Sequence, residues 1–206
     1  MHEPSLETYK DIADWIGDFP YSLKDKWYRM GFVGVFADYV LSSLPGDILE
    51  IGTGESSIYL TKLSLKYGRK IYYCDIEPGK IINPLTVPGY LNPDGVFFQC
   101  SSDKMFETSL SPLAFVFIDG DHSYKQVKKD FWNAYRHLVE DGFILLHDTY
   151  PPDLSWTNDY QCGEVYKLRL ELEKDERFDC VTLTRGTAMN VGLTIVRKRH
   201  TERKGF

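Results

Sequence analysis

Two stretches carry residues whose types and spacing could do chemistry. The first runs Asp47-Ile48-Leu49-Glu50-Ile51-Gly52-Thr53-Gly54-Glu55-Ser56-Ser57. Ile48, Leu49 and Ile51 are the short apolar run of a buried parallel strand. Glu50 stands at its carboxyl end. Gly52 and Gly54 allow a tight turn and a close approach of backbone to ligand. Ser56 and Ser57 can cap a helix with apolar positions Ile58, Leu60, Leu63 and Leu65. Strand, glycine turn and helix start make a nucleotide cradle. A dinucleotide fingerprint would place Gly or Ala at position 57, where Ser57 stands, which disfavours a nicotinamide oxidoreductase. Asp75 closes the next apolar run, Ile71 to Cys74, and adds a second acidic strand end.

The second stretch is split. Asp119-Gly120-Asp121-His122 follows the apolar run 114–118, and His147-Asp148 follows the run 143–146. Carboxylates facing one cleft raise one another's pKa unless something positive lies between them. A divalent cation would supply that charge. Oxygen donors suit magnesium, calcium or manganese, and histidine admits manganese, iron or zinc. His122 titrates near neutrality and could take a proton from a hydroxyl nucleophile. Two plainer readings stand beside these. His122 could pair with Asp121 at a helix start. Asp119 could cap that helix while Asp148 orients the Tyr150–Pro152 loop.

These residues need elements to position them. Leu6, Tyr9, Ile12, Ala13 and Ile16 fall at helical spacing, and a second helical run covers about 23–44, with Gly31 and Gly34 weakening its continuity. These helices form an N-terminal cap over residues 1–45, ahead of the main unit, 46–206, of a single domain. The first could fold over a ligand; the second covers a sheet face. Strands are expected at 47–51, 71–74, 96–99, 114–118, 143–146, 178–184 and 191–196. Prolines and glycines between 78 and 95 leave no room for a long helix there. A short helix follows at about 103–108, for which Ser102 is a candidate cap. Longer helices are expected after 124 and over 162–174, and 151–160 is a loop. The order is α/β: a doubly wound, mostly parallel seven-stranded sheet with an antiparallel C-terminal strand pair and helices on both faces. Ligands then bind beyond the carboxyl ends of the strands, where Glu50, Asp75, Ser102, Asp119 and Asp148 all sit.

The chain has 206 residues, enough for one domain with a substantial core. Its net charge of −6 disfavours a nucleic-acid surface. No apolar run is long enough to span a bilayer, and nothing reads as a signal peptide, so a cytoplasmic protein is expected. The 4 cysteines show no metal-type spacing and are expected as free thiols. Nothing here fixes an oligomeric state, and a homo-oligomer stays open.

Glu50-x-Gly52-x-Gly54 with Asp75 resembles the first motifs of the class I S-adenosylmethionine-dependent methyltransferases, whose sheet is Rossmann-like. Phe117-Ile118-Asp119-Gly120-Asp121-His122-Ser123-Tyr124 and Gly142-Phe143-Ile144-Leu145-Leu146-His147-Asp148-Thr149 resemble catechol-type and macrolide-sugar O-methyltransferases and cephalosporin-hydroxylase-like proteins. The resemblance covers about 45–197. It implies S-adenosylmethionine across Glu50, Gly52, Thr53, Gly54 and Ser56. Ribose would lie on Asp75, adenine near Ser102 and Asp103, and Asp119 beside them. It implies a divalent metal, magnesium or manganese, on Asp119 and Asp148. His147, or Thr149 in the catechol-type register, would complete the site, with Asp121 as a substitute. His122 falls where the catechol-type enzymes place a catalytic lysine, so His122 or Asp119 would remove the acceptor's proton. The acceptor would be a small hydroxylated molecule, sugar or catechol-like. A non-catalytic cofactor-binding module or a hydroxylase-like relative is the alternative.

Overall fold

The computed structural model describes residues 21–77, 95–158, 161–184 and 191–199, with side chains from Met30 onward. The expected first helix, the stretch 78–94 and the 185–190 connection lie outside the described residues.

The chain enters through α1 (Tyr21–Ser43), then β1 (Asp47–Ile51), α2 (Ser56–Tyr67), β2 (Ile71–Asp75), β3 (Val96–Gln99) and α3 (Ser102–Met105). It continues through β4 (Leu113–Ile118), α4 (Tyr124–His137), β5 (Leu138–His147), α5 (Val165–Leu172), β6 (Phe178–Leu183) and β7 (Leu193–Lys198). The seven strands form one sheet in the order β3-β2-β1-β4-β5-β7-β6. The first five are parallel, and β7 runs antiparallel between β5 and β6. This is the expected sheet.

Alternation along the strands divides the core in two. Ile48, Phe115, Phe117 and Leu145 pack against Val33, Ala37, Val40 and Leu41 of α1 and Leu60 and Leu63 of α2. Leu49, Val116, Ile118 and Leu146 pack on the other side against Val127, Phe131 and Ala134 of α4 and Val165, Leu168 and Leu172 of α5. Each buried aliphatic or aromatic side chain is worth about 1.5–3 kcal/mol relative to exposure. The described part of the N-terminal segment thus shares a core with the sheet.

The expected second helix forms and runs unbroken through Gly31 and Gly34. At Gly34 a Cβ would come 2.9 Å from the Tyr59 ring, so the missing side chain lets α1 close on α2. Three expectations need correcting. The short helix is Ser102–Met105, and its cap is Ser101, whose Oγ accepts from Lys104 N. β5 begins at Leu138, directly on the end of α4, because Leu138 already has extended backbone. The helix expected from Cys162 starts only at Val165, because Gly163 at φ 53° turns the chain first. No helix among the described residues is long and apolar enough to cross a membrane. All four cysteines are free.

Candidate active site

The ends of β1 and β4 touch through backbone. Gly52 has φ 81°, and a Cβ on it would fall 2.0 Å from the carbonyl oxygen of Asp119. Only glycine fits there. Gly52 N donates to Cys74 O (2.9 Å), and Asp119 N donates to Ile51 O (2.8 Å). The three strand ends are therefore locked in register around a cleft of about 480 Å³.

Gly52, Thr53, Asp75, Ser102 and Asp119 line that cleft. Asp75 Oδ2 accepts from Thr53 N (2.8 Å) and from Thr53 Oγ1 (2.9 Å), while Oδ1 accepts from Glu77 N (2.8 Å). With three of about four acceptor sites taken, the carboxylate shapes the glycine loop and keeps about one, on Oδ1, for a ligand. Glu50, Gly54, Ser56 and Asp103 are not in the lining. Ser56 Oγ donates to Glu50 Oε1 (2.5 Å) instead of capping α2, and the Ser57 hydroxyl accepts from Gly54 N (3.1 Å). Asp103 pairs with Lys129 at 2.5 Å. Sequence reasoning missed Gln126 and Asp130, which reach the cleft from α4. Asp130 is 1 % exposed, accepts from Gln126 Nε2 (3.0 Å), and burial pushes its pKa up to about 6. Its signal was an acid inside the apolar stripe of Val127, Phe131 and Ala134.

Beside the cleft, the carboxylates of Asp119 and Asp148 converge as their neighbouring strands require; Ile118 pairs with Leu146. Two histidines fill the space between them. His147 Nδ1 lies 3.1 Å from Asp119 Oδ1 and 3.2 Å from Asp148 Oδ2. His122 Nε2 lies 3.5 Å and 3.3 Å from the same two oxygens. Burial alone would keep the His147 ring neutral, but the two carboxylates push its pKa up to about 10. They raise His122 as well. Burial would raise Asp119, yet His147 foremost, then His122, hold it well below the usual carboxylate range. The positive charge that the paired carboxylates demand is thus available from imidazolium.

Ligand atoms of Asp119, His122 and Asp148 lie within 4.8 Å of one another, so the trio able to hold a metal contains His122. His147 is not named in that trio, although its Nδ1 lies 3.1 and 3.2 Å from the same two oxygens; its Nε2 is buried with no hydrogen-bond partner. Thr149 turns away, its Oγ1 accepting from Thr194 Oγ1 on β7 (2.9 Å). Asp121 is spent on its own turn, accepting from Ser123 N (2.8 Å). It neither joins the trio nor pairs with His122. Ser123, not Asp119, caps α4.

Residues 49–149 match the family model described as a methyltransferase domain. The match covers just under half of the 206 residues. It spans the glycine turn, the cleft and the Asp119–Asp148 cluster. The fold is also that of an O-methyltransferase from Bacillus cereus in complex with S-adenosylhomocysteine (TM-score 0.65, 14% identity, 95% of this chain and 92% of that one). A methyltransferase from Podospora anserina bound to S-adenosylhomocysteine gives 0.64 at 18% identity, covering 97% and 99%. An O-methyltransferase from Streptomyces achromogenes, in complex with S-adenosylmethionine and involved in tomaymycin synthesis, gives 0.64 at 14%, covering 82% and 78%. No curated protein matches the chain by sequence.

Proposed function

We propose that the protein is an S-adenosylmethionine-dependent O-methyltransferase acting on a small polyhydroxylated acceptor, sugar or catechol-like. One observation carries this reading: Asp119 lines the cleft and also belongs to the histidine–carboxylate cluster. A donor seated in the cleft would therefore lie next to groups able to take a proton. The cleft volume is that of a small-molecule site. Asp75 would accept from the ribose hydroxyls, Ser102, Gln126 and Asp130 would face the base, and the backbone at Gly52 and Thr53 would follow the donor's chain.

When bound, S-adenosylmethionine supplies a methyl carbon on a cationic sulfur. The protein's own part is to orient and to move a proton. His122 Nε2, between Asp119 and Asp148, would receive the acceptor's hydroxyl proton, and the two carboxylates would stabilise the resulting imidazolium. Transfer is an in-line displacement, so positioning would supply most of the acceleration, about 7–11 kcal/mol at best.

Asp119, Asp148 and His122 also fit a divalent cation. Their separations of 3.3 and 3.5 Å suit donors at ~2.0–2.2 Å from one ion. An imidazole with two carboxylates favours manganese over magnesium. The ion would act as a Lewis acid on the acceptor hydroxyls. A metal-free variant is favoured by His147, whose charge already offsets one of the two acids. Calorimetry with S-adenosylhomocysteine tests the donor, and an acceptor screen with and without EDTA tests the rest. No binding of S-adenosylhomocysteine would sink the proposal. Activity that falls with EDTA and returns with manganese would select the metal form.

A further inference from the structure

His122 is held by a turn that the reading above does not use. The ring Nδ1 of His122 pairs with the carbonyl oxygen of Gln161. The backbone closes the same contact from the other direction, Glu164 N donating to His122 O at 2.8 Å. Between them, Gly163 sits flush on the histidine. A Cβ there would come 2.5 Å from His122 O and 2.6 Å from His122 Cβ, at a φ of 53°. Cys162, 1 % exposed, points its Sγ at Asp148 Oδ1, 3.6 Å away. A single four-residue turn thus touches a histidine and a carboxylate of the cluster.

A carbonyl oxygen can only accept, so the nitrogen facing Gln161 must carry a proton. Nε2 faces the carboxylates of Asp119 and Asp148, which also only accept, so the charged ring carries a proton on both nitrogens. Nε2 stands farther from its partners than Nδ1 from the Gln161 carbonyl, and it is the nitrogen placed to exchange a proton or bind a metal. We propose that the turn Gln161–Glu164 is the positioning element of the site. It fixes His122 as the Nδ1–H form with Nε2 presented to the two carboxylates, and it steadies Asp148 through Cys162. The consequence for catalysis rests on the proposed methyl transfer; the placement of the ring does not.

The test is long-range proton–nitrogen NMR of the His122 ring in the full chain, in EDTA, with the ring neutral. Wild type should carry the proton on Nδ1. Gly163→Ala should shift both ring nitrogens and mix the tautomers. Gln161→Ala, which keeps the carbonyl, should leave them alone. Affinity for S-adenosylhomocysteine should not change in either variant, because no residue of the turn lines the cleft. A wild-type proton on Nε2 would overturn the proposal, as would a folded Gly163→Ala with an unshifted ring. If Gly163→Ala does not fold, the wild-type tautomer alone decides. Failure of S-adenosylhomocysteine to bind wild type sinks the methyl-transfer reading and leaves the tautomer result standing.

Discussion

His122 and His147 meet the same two oxygens, Asp119 Oδ1 and Asp148 Oδ2, so acids and imidazoles alternate around a closed ring. The two histidines differ in what else they touch. His122 is anchored by Gln161 and is a fifth exposed; His147 is 5 % exposed, and its outer nitrogen is orphaned. The first lies on the more open side of the cluster, and the second is enclosed between the acids.

That division predicts a pH-dependent stability for the metal-free protein. His147→Gln removes one member of a buried pair and should cost about 3–5 kcal/mol at pH 6. The pKa of His147 is raised on folding, from 6.5 to about 10. Its contribution is therefore complete below about pH 6.5 and is lost as pH climbs toward 10. Urea denaturation in EDTA should show a large gap between wild type and variant at pH 6 that narrows by pH 9. A gap independent of pH would mean that packing, not charge, is the role of His147.

The two glycines of the cradle should behave differently. Gly52→Ala places a Cβ into the Asp119 backbone and forces a positive φ, which by itself costs about 1–3 kcal/mol. No side chain can move to relieve the overlap, so little folded protein is expected. Gly54→Ala meets nothing within 4 Å and should melt like wild type. Thermal melts of the two variants check this, and equal behaviour would refute it.

The convergence of Asp119 and Asp148 was legible because each stands within two residues of the end of an apolar run, and such runs pair side by side in a parallel sheet. Which third side chain stands beside the two acids was not. Whether His122, His147 or Thr149 joins the acids depends on side-chain direction, and Thr149 is drawn off by Thr194 because β7 inserts beside β5. No local pattern announces that insertion. Gln161 and Gly163 were unreadable for a related reason. They meet His122 across about forty residues, and Gly163 looks like any loop glycine until its neighbour is known. Asp130 was legible as one acid within an otherwise apolar helix face, but the strand end that this face meets was not.

Asp75 is expected to bind ribose while bracing Thr53. Asp75→Ala should weaken S-adenosylhomocysteine by roughly 1.5–3 kcal/mol, the worth of hydrogen bonds to a charged group. Thr53→Val removes only the hydroxyl bond, keeps the backbone bond to Asp75 Oδ2 and should weaken binding less. Calorimetry on both variants orders the effects. Asp75→Ala with unaltered affinity would remove Asp75 from the donor site.

Glu50 offers the sharpest contrast between stability and function. It is fully buried on β1, its Oε1 accepts from Ser56, and its Oε2 has no partner. Burial pushes its pKa from 4.5 up to about 8. A folded-state pKa above the unfolded one means that the native protein binds the extra proton. Wild-type stability should therefore fall as pH rises from about 4.5 to about 8, by a few kcal/mol on the scale of about 1.4 kcal/mol per pH unit. Glu50→Gln has nearly the same shape and no charge to bury, so that decline should flatten and the variant should be the more stable protein at pH 8. Glu50 does not line the cleft, so the cationic amino group of a methyl donor would act on this carboxyl only through the field across the end of β1, favouring its ionised form. Glu50→Gln should then bind S-adenosylhomocysteine more weakly while melting later at pH 8. A variant that is more stable at pH 8 and binds equally well would make Glu50 a scaffold residue held by Ser56. A variant that is less stable at pH 8 would mean that the ionised carboxyl has a partner in the folded protein, and the assignment of Glu50 as a buried neutral acid would fall.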